Sequence, residues 1–435
     1  MRPLLAAIAL TAACATSPHD RAWLSRAVAA RTGTSLRPES RDTTTRIPPG
    51  ASLADGLTED EAAALALWNS PAFQAELTQL GFARADLADA GMLPNPVLSI
   101  LLPLGPRQVE SWLAWPIEVL WQRPRRVEAA RLDVARVAEG LVQSGLDVVR
   151  DARVAHAEAS LADARASVRA EAAAALAEVG TLSARRAAAG DLAEPDAAAA
   201  RLDAGIAAEA AARAAAERIA ARARLALAVG VPELPADVAL SSPDARGDDP
   251  PPLDALLTAA LAARPDVRAA EIAVEAAGAR AGWERARVLG VVLRVDAFGG
   301  NGGDLSGRIG PQVTLPIFQQ NQGGIGRAEA EADRAVWRLS LARQQVRAEV
   351  IAARAALAQS RAALTAWRAD VAPAADEALR GARQSFERGD VAYLAVLDAS
   401  RRALDVRLRE AELVADARRA EAQLTRAVGG RHAAP

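Results

Sequence analysis

Side chains able to do covalent or metal chemistry are scarce in this sequence. Its 435 residues include one cysteine, Cys14, three histidines, His19, His156 and His432, and two methionines, Met1 and Met92. No two of them stand at a metal-ligand spacing, so neither a metal centre nor a cofactor is expected. The glycine-rich run 299–303 lacks the lysine of a phosphate-binding loop and falls between strand-like segments. Convergent groups for catalysis are missing, and the chain does not read as an enzyme. One covalent chemistry is left, at Cys14. It follows Leu10-Thr11-Ala12-Ala13 behind Arg2 and a short apolar stretch, as in a lipoprotein cleavage box whose cysteine is acylated. Ordinary signal cleavage around Ala13-Cys14-Ala15 fits the same residues. Either way residues 1–15 read as an export signal, and one cysteine allows no internal disulfide.

The remaining functional groups are carboxylates on turns, and long helices must position them. The chain is 51% hydrophobic but only 3% aromatic, which suits helices joined by thin alanine and leucine seams. All 52 basic residues are arginine, and the net charge of −2 gives no field that would favour a nucleic acid. No apolar run of about 20 residues follows the N-terminus, so a membrane crossing would have to use strands.

Those helices come in two copies. Pro116-Ile117 and Pro316-Ile317 precede Gly190-Asp191 and Gly389-Asp390 by 74 and 73 residues, and Ala228-Val229-Gly230 and Ala427-Val428-Gly429 close both halves. Asn69-Ser70-Pro71 and Ala263-Arg264-Pro265 open them. We expect an extended arm over 16–56, a first repeat over 57–230, a proline-rich linker over 231–252, a second repeat over 253–430 and a tail over 431–435. Ile325, Ala328, Ala332, Ala335, Leu339, Ala342 and Val346 step by three and four, the seam of a coiled coil. Gly190 and Gly389 are expected to turn one long helix into the next by adopting the left-handed conformation.

Strand-like segments interrupt the helices at matching places: 97–104 and 111–118 in the first half, 290–298 and 307–318 in the second. Residues 291–298 alternate, with Val291, Leu293, Val295 and Ala297 on one face and Arg294 and Asp296 on the other. A lipid-facing barrel strand needs that alternation over about 9–11 residues. Trp112, Trp115 and Trp121 cluster beside one strand, as an interfacial girdle would. Four strands cannot close a membrane barrel, since known ones begin at about eight, so several copies must share one.

Three segments carry a family resemblance: Leu93-Pro94-Asn95-Pro96; Trp115-Pro116-Ile117-Glu118 followed by residues 123–130; and Leu315-Pro316-Ile317-Phe318-Gln319-Gln320-Asn321-Gln322-Gly323-Gly324-Ile325. With the duplicated plan, they resemble the TolC-like outer membrane factors of bacterial tripartite efflux pumps, nearest the heavy-metal (cobalt-zinc-cadmium resistance) branch. The resemblance implies an α+β membrane protein acting as a homotrimer. Each protomer would give four strands to a 12-stranded outer-membrane β-barrel, continued by a periplasmic α-barrel. The implied partners are a periplasmic adaptor, an inner-membrane RND-type proton-driven pump and outer-membrane lipid.

The resemblance also assigns sites. Residues 386–398 are similar to the family's periplasmic tip, which makes Asp398 and Asp390 candidates for the pore constriction, where a carboxylate ring attracts cations. A second acid of that ring would fall at Ala395 and a gate arginine at Val391, and this chain has neither. Gly190, Asp191, Gly389 and Asp390 become candidate adaptor-docking tips. On its own residues Asp398 reads equally as a solvated helix carboxylate. The implied cargo is heavy-metal cations. Two other readings stay open: the same channel for drugs, solvents or secreted proteins, and a periplasmic coiled-coil adaptor or scaffold without a pore.

Overall fold

The structure, a computed structural model, describes residues 15–102, 109–241, 250–299, 305–388, 390 and 393–431. In chain order its elements are α1 (Arg21–Thr32), β1 (Leu57–Thr58), α2 (Glu59–Asn69), α3 (Pro71–Gly91), β2 (Val97–Leu101), β3 (Val109–Pro116), α4 (Val119–Ala188), α5 (Glu194–Val229), β4 (Leu240–Ser241), α6 (Leu253–Ala263), α7 (Pro265–Ala286), β5 (Gly290–Gly299), β6 (Leu305–Thr314), α8 (Gln322–Ala366), a π-turn (Trp367–Val371), α9 (Ala372–Glu387) and α10 (Tyr393–Ala427). They group into two compact units. The first holds the chain up to Arg26 with Ala75–Gln143 and Arg264–Gln345, and the second holds Ala27–Gln74, Ser144–Ala263 and the chain from Val346.

The first unit is built around one antiparallel sheet of order β2-β3-β5-β6, the two expected hairpins laid side by side. Each strand joins a helix, and the helices keep the order of their strands. Arg123 Nε donates to the Gly91 carbonyl at 2.7 Å and Arg126 Nε to Ala90 at 2.9 Å, tying α4 to α3. Arg125 reaches the Gly282 carbonyl at 3.2 Å and Asp133 pairs with Arg280, tying α4 to α7. Arg285 meets Glu329 at 2.6 Å and Arg343 meets Glu271 at 2.9 Å, tying α7 to α8. The helix layer therefore runs α3-α4-α7-α8.

The strands differ from expectation at their ends, and proline explains part of it. β3 begins at Val109 and stops at Pro116 instead of spanning 111–118; beyond it Ile117 and Glu118 both donate to the Val291 carbonyl. β6 spans Leu305–Thr314 instead of 307–318, since Pro316 has no N–H for a ladder. β2 ends at Leu101, short of the expected 104, and residues 103–108 lie outside the described residues.

The segment Gln320-Asn321-Gln322-Gly323-Gly324 acquires a physical reason here. Asn321 holds a left-handed φ of 57° while its amide donates to the Glu284 carbonyl at 2.8 Å and carboxylate at 2.7 Å. A Cβ on Gly324 would overlap the Asn321 side chain, so the turn into α8 demands glycine there.

The second unit has its own core of Leu57, Ala62, Leu65, Ala159, Leu225, Val229, Val231 and Val238. Thr58 and Glu61 form a reciprocal capping box at the start of α2. The expected linker contains β4, which pairs in parallel with β1. The expected arm contains a helix, α1, whose Leu24 and Val28 are buried one turn apart. Gly230 ends α5 at φ 69°, and a Cβ added there would overlap the Asn69 carbonyl, so a side chain has no room. His156 is wholly buried, and its Nε2 donates to the Leu57 carbonyl at 2.8 Å. Burial pushes this imidazole down, the nearby Arg418 adds to the shift, and the bond to Leu57 opposes it.

Heptad spacing continues along α8 through the buried Val346, Val350, Ala353, Leu357, Ser360 and Leu364. The ladder then widens at Trp367–Val371, where Ala372 donates to the Trp367 carbonyl five residues back. Pro373 follows directly and cannot donate to the carbonyl four residues before it, which favours such a local rearrangement.

Candidate pore wall and helix tips

Ladder register sorts the sheet into two chemically distinct faces. One row runs Leu98, Leu113, Val295, Ile309, and the same face carries Ile100, Trp115, Val291, Leu293, Ala297 and Val313. On the other face Ser99, Trp112, Asp296 and Arg308 align, flanked by Glu110, Arg294, Ser306 and Gln312. The apolar face is open, with Leu98 63% and Ile309 71% exposed. On the polar face Arg294 Nε donates to Asp296 at 2.6 Å while its guanidinium lies 5.1 Å from the Trp112 ring centre. Arg308 stacks over Phe298 at 4.7 Å. Both outer strands, β2 and β6, have a free edge among the described residues.

The three tryptophans of the expected girdle do not share a face. Period-two alternation puts Trp112 on the polar side with Arg294 and Trp115 on the apolar side, where its Nε1 donates to the Pro94 carbonyl at 2.9 Å. Trp121 sits past the strand, partly exposed in the first turn of α4.

The helix tips belong to the second unit. At the first, Gly190 takes φ 83° and donates to Ala187, while Asp191 donates to the Arg186 carbonyl at 2.9 Å, five residues back. At the second, Asp390 donates to the Ser385 carbonyl at 2.9 Å, the same five-residue step. Gly389 and Val391 lie outside the described residues, as does Cys14. The acids there are largely matched by arginines. Asp390 pairs with Arg388 at 3.1 Å and Asp398 with Arg402 at 2.7 Å one turn along α10, all four well exposed. Arg401 pairs with Asp203, joining α10 to α5. Arg402 and Arg401 escaped sequence reading, although the i, i+4 spacing of Asp398 and Arg402 was there to be seen. Among the described residues no group of three metal-ligating side chains gathers, and no helix is long and apolar enough to cross a membrane.

Residues 256–430 match the family described as outer membrane efflux protein. The chain is 28% identical over 391 residues to the cobalt-zinc-cadmium resistance protein CzcC of Cupriavidus metallidurans, covering 86% of this chain and 91% of that protein. Its fold is that of solved outer membrane channels. The Campylobacter jejuni CmeC channel superposes with a TM-score of 0.75 at 15% identity, over 91% of this chain and 93% of that one. CusC, described as forming a transmembrane channel, gives 0.70 at 19% identity over 91% and 99%.

Proposed function

We propose that the chain, whose residues 256–430 match the outer membrane efflux protein family, is the channel subunit of a tripartite, proton-driven efflux system that passes heavy-metal cations to the exterior. The observation that carries this reading is a small sheet with one open apolar face, one polar face and two free edges. In hydrocarbon such edges must be paired, and copies joined edge to edge do this while turning the polar faces inward. Three copies would give a 12-stranded barrel, with the long helices continuing as a periplasmic α-barrel.

The chain's own residues then have physical roles. Leu98, Leu113, Val295 and Ile309 face lipid, with Trp115 and Trp121 toward the periplasmic boundary. Trp112, Arg294, Asp296 and Arg308 line the bore. At the periplasmic end Asp398 and Asp390 line the constriction. Arg402 and Arg388 offset them, leaving a weakly cation-attracting ring that an ion can enter and leave. Gly190-Asp191 and Gly389-Asp390 shape the tips on which a periplasmic adaptor docks, coupling the channel to an inner-membrane RND-type pump. Acylation of Cys14 would add an outer-membrane anchor. The metal cargo rests on the similarity to CzcC.

The test has two parts. Purified protein in planar bilayers should show channel conductance, and a deletion strain should grow poorly on zinc, cobalt and cadmium with unchanged drug tolerance. A conducting protein whose loss sensitises cells only to drugs would overturn the metal cargo and leave the channel.

A further inference from the structure

One groove in the first unit carries more positive charge than its own acids match. It has a volume of about 460 Å³ and is lined by α4, α7 and α8. Because the helix layer runs α4-α7-α8, α7 is its floor. That floor is alanine: Ala270, Ala273 and Ala277 recur at helical spacing, and their short side chains leave the trough open.

Arginines stand on both rims. On one side Arg280 pairs with Asp133 and Arg136 Nε donates to the same carboxylate at 3.3 Å, so two guanidinium groups share one acid. On the other side Arg334 and Arg338 lie one turn apart on α8, both exposed, with Glu331 one turn before them. None of those three has an ion pair among the described residues. Four arginines against two acids leave the groove with two net positive charges.

The groove opens on the face of the layer away from the N-terminal segment. Ala15 packs where a Cβ on Gly91 would overlap it, and burial, then the fields of Arg131 and Arg268, lower the pKa of His19. Arg131 is two residues before Asp133 and five before Arg136. Arg268 is two before Ala270 and five before Ala273. At 3.6 residues per turn each of these arginines points roughly 150° away from the groove. An acyl chain on Cys14, bonded to Ala15, has to reach lipid. That puts the N-terminal segment outside the ring and the groove on the bore.

We infer that this groove is an anion site on the wall of the bore, and that it takes a small organic polycarboxylate. One carboxylate lies across Arg334 and Arg338, a second meets Arg280 and Arg136, and the carbon body rests on the alanine floor. Guanidinium forks match carboxylate oxygens in pairs, and two rims call for a ligand with two anionic ends. A single inorganic ion would use one rim and leave the alanine methyls in water. Occupation has a consequence for transport: a trianion such as citrate reverses the sign of a wall that otherwise repels cations. The place on the bore rests on the channel reading, whereas the groove and its charges do not.

The test is calorimetric titration of the purified full chain in detergent with citrate. Arg334→Gln with Arg338→Gln should weaken binding roughly tenfold, and raising salt from about 0.1 M to 1 M should weaken it in the wild type. Arg268→Gln with Arg285→Gln removes the same charge outside the groove and should leave the affinity within about twofold. Acetate, with one carboxylate, should bind roughly tenfold more weakly than citrate. Helical circular dichroism checks that each variant folds. In planar bilayers citrate should raise the cation-to-anion permeability ratio of the wild type about twofold and leave that of Arg334→Gln with Arg338→Gln unchanged. Equal citrate affinity in the two double variants would overturn the site, and acetate binding as tightly as citrate would overturn its two-ended occupant. A conducting protein that binds citrate in the groove without any change in permeability would overturn the place on the bore. Groove-dependent binding in a protein that never conducts would leave the site standing and overturn the channel.

Discussion

Ile309 in β6 and Leu394 near the second tip are both large apolar side chains about 70% exposed, yet they are different objects. Ile309 ends a row of Leu98, Leu113 and Val295, all open, on a face where every described neighbour is apolar or small. Leu394 stands among Arg388, Asp390, Asp398, Arg401 and Arg402. Single exposed leucines are ordinary on a wet surface, whereas a continuous apolar face means that something other than water covers it. The sheet segregates its charges to one side. The tips pair theirs locally and stay solvated.

The most direct way to break that comparison is to change the charge on each side of the sheet. Ile309→Arg, near the middle of a ten-residue strand, should cost about 2–4 kcal/mol in a bilayer. Arg308→Ala, one residue away and facing the other side, should be close to neutral. Recovery in the outer-membrane fraction and the urea midpoint in lipid measure both. Equal losses would mean that the two faces are not lipid and bore.

The two helix-ending glycines sharpen the contrast between packed and solvated regions. Gly230 and Gly190 share left-handed φ values of 69° and 83°, but only Gly230 has the Asn69 backbone pressed against it. Gly230→Ala should therefore lose roughly 2–4 kcal/mol, from backbone strain plus overlap. Gly190→Ala, with open space beyond it, should lose only about 1 kcal/mol. Urea unfolding followed by circular dichroism separates them, and similar losses would remove the packing argument.

The sequence was most legible where a period was imposed by burial. The seam from Ile325 to Val346 is buried or half-buried throughout, because one helical face must pack. Alternation in 291–298 gave the two faces of β5. It did not give Trp112 its side, because the parity of β3 is fixed only by its ladder to Asp296 and Ser99. Arg123, Arg125 and Arg126 entered the sequence reading only within the segment 123–130, and their bonds to carbonyls of α3 and α7 come from residues distant in the chain. The tip roles of Asp398 and Asp390 came from resemblance alone, and geometry adds their arginine partners.

A smaller effect belongs to the core of the second unit. His156 is held neutral, with a pKa below the 6.5 of an unfolded chain, and its Nδ1 has no partner among the described residues. The unfolded state therefore takes up the proton first. Stability is full above about pH 7 and is lost as the pH falls through 6.5 toward the lowered folded value. His156→Gln keeps a donor for Leu57 but cannot titrate, so its urea midpoint should lack that fall. Parallel curves would assign the pH dependence elsewhere.

The smallest expected effect tests the tip. An exposed i, i+4 pair such as Asp398 with Arg402 contributes only about 0.3–0.5 kcal/mol, and its field is screened within about 10 Å at 0.1 M salt. If that pair persists in the assembled pore, Asp398→Asn should lower the cation-to-anion permeability ratio by no more than about twofold. Arg402→Gln should raise it by a similar factor, because it uncovers the carboxylate. Reversal potentials across a salt gradient give both numbers, and the opposite signs matter more than their size. A collapse of selectivity in Asp398→Asn, with Arg402→Gln silent, would mean that the carboxylate stands bare in the bore and that its arginine partner belongs to the isolated protomer.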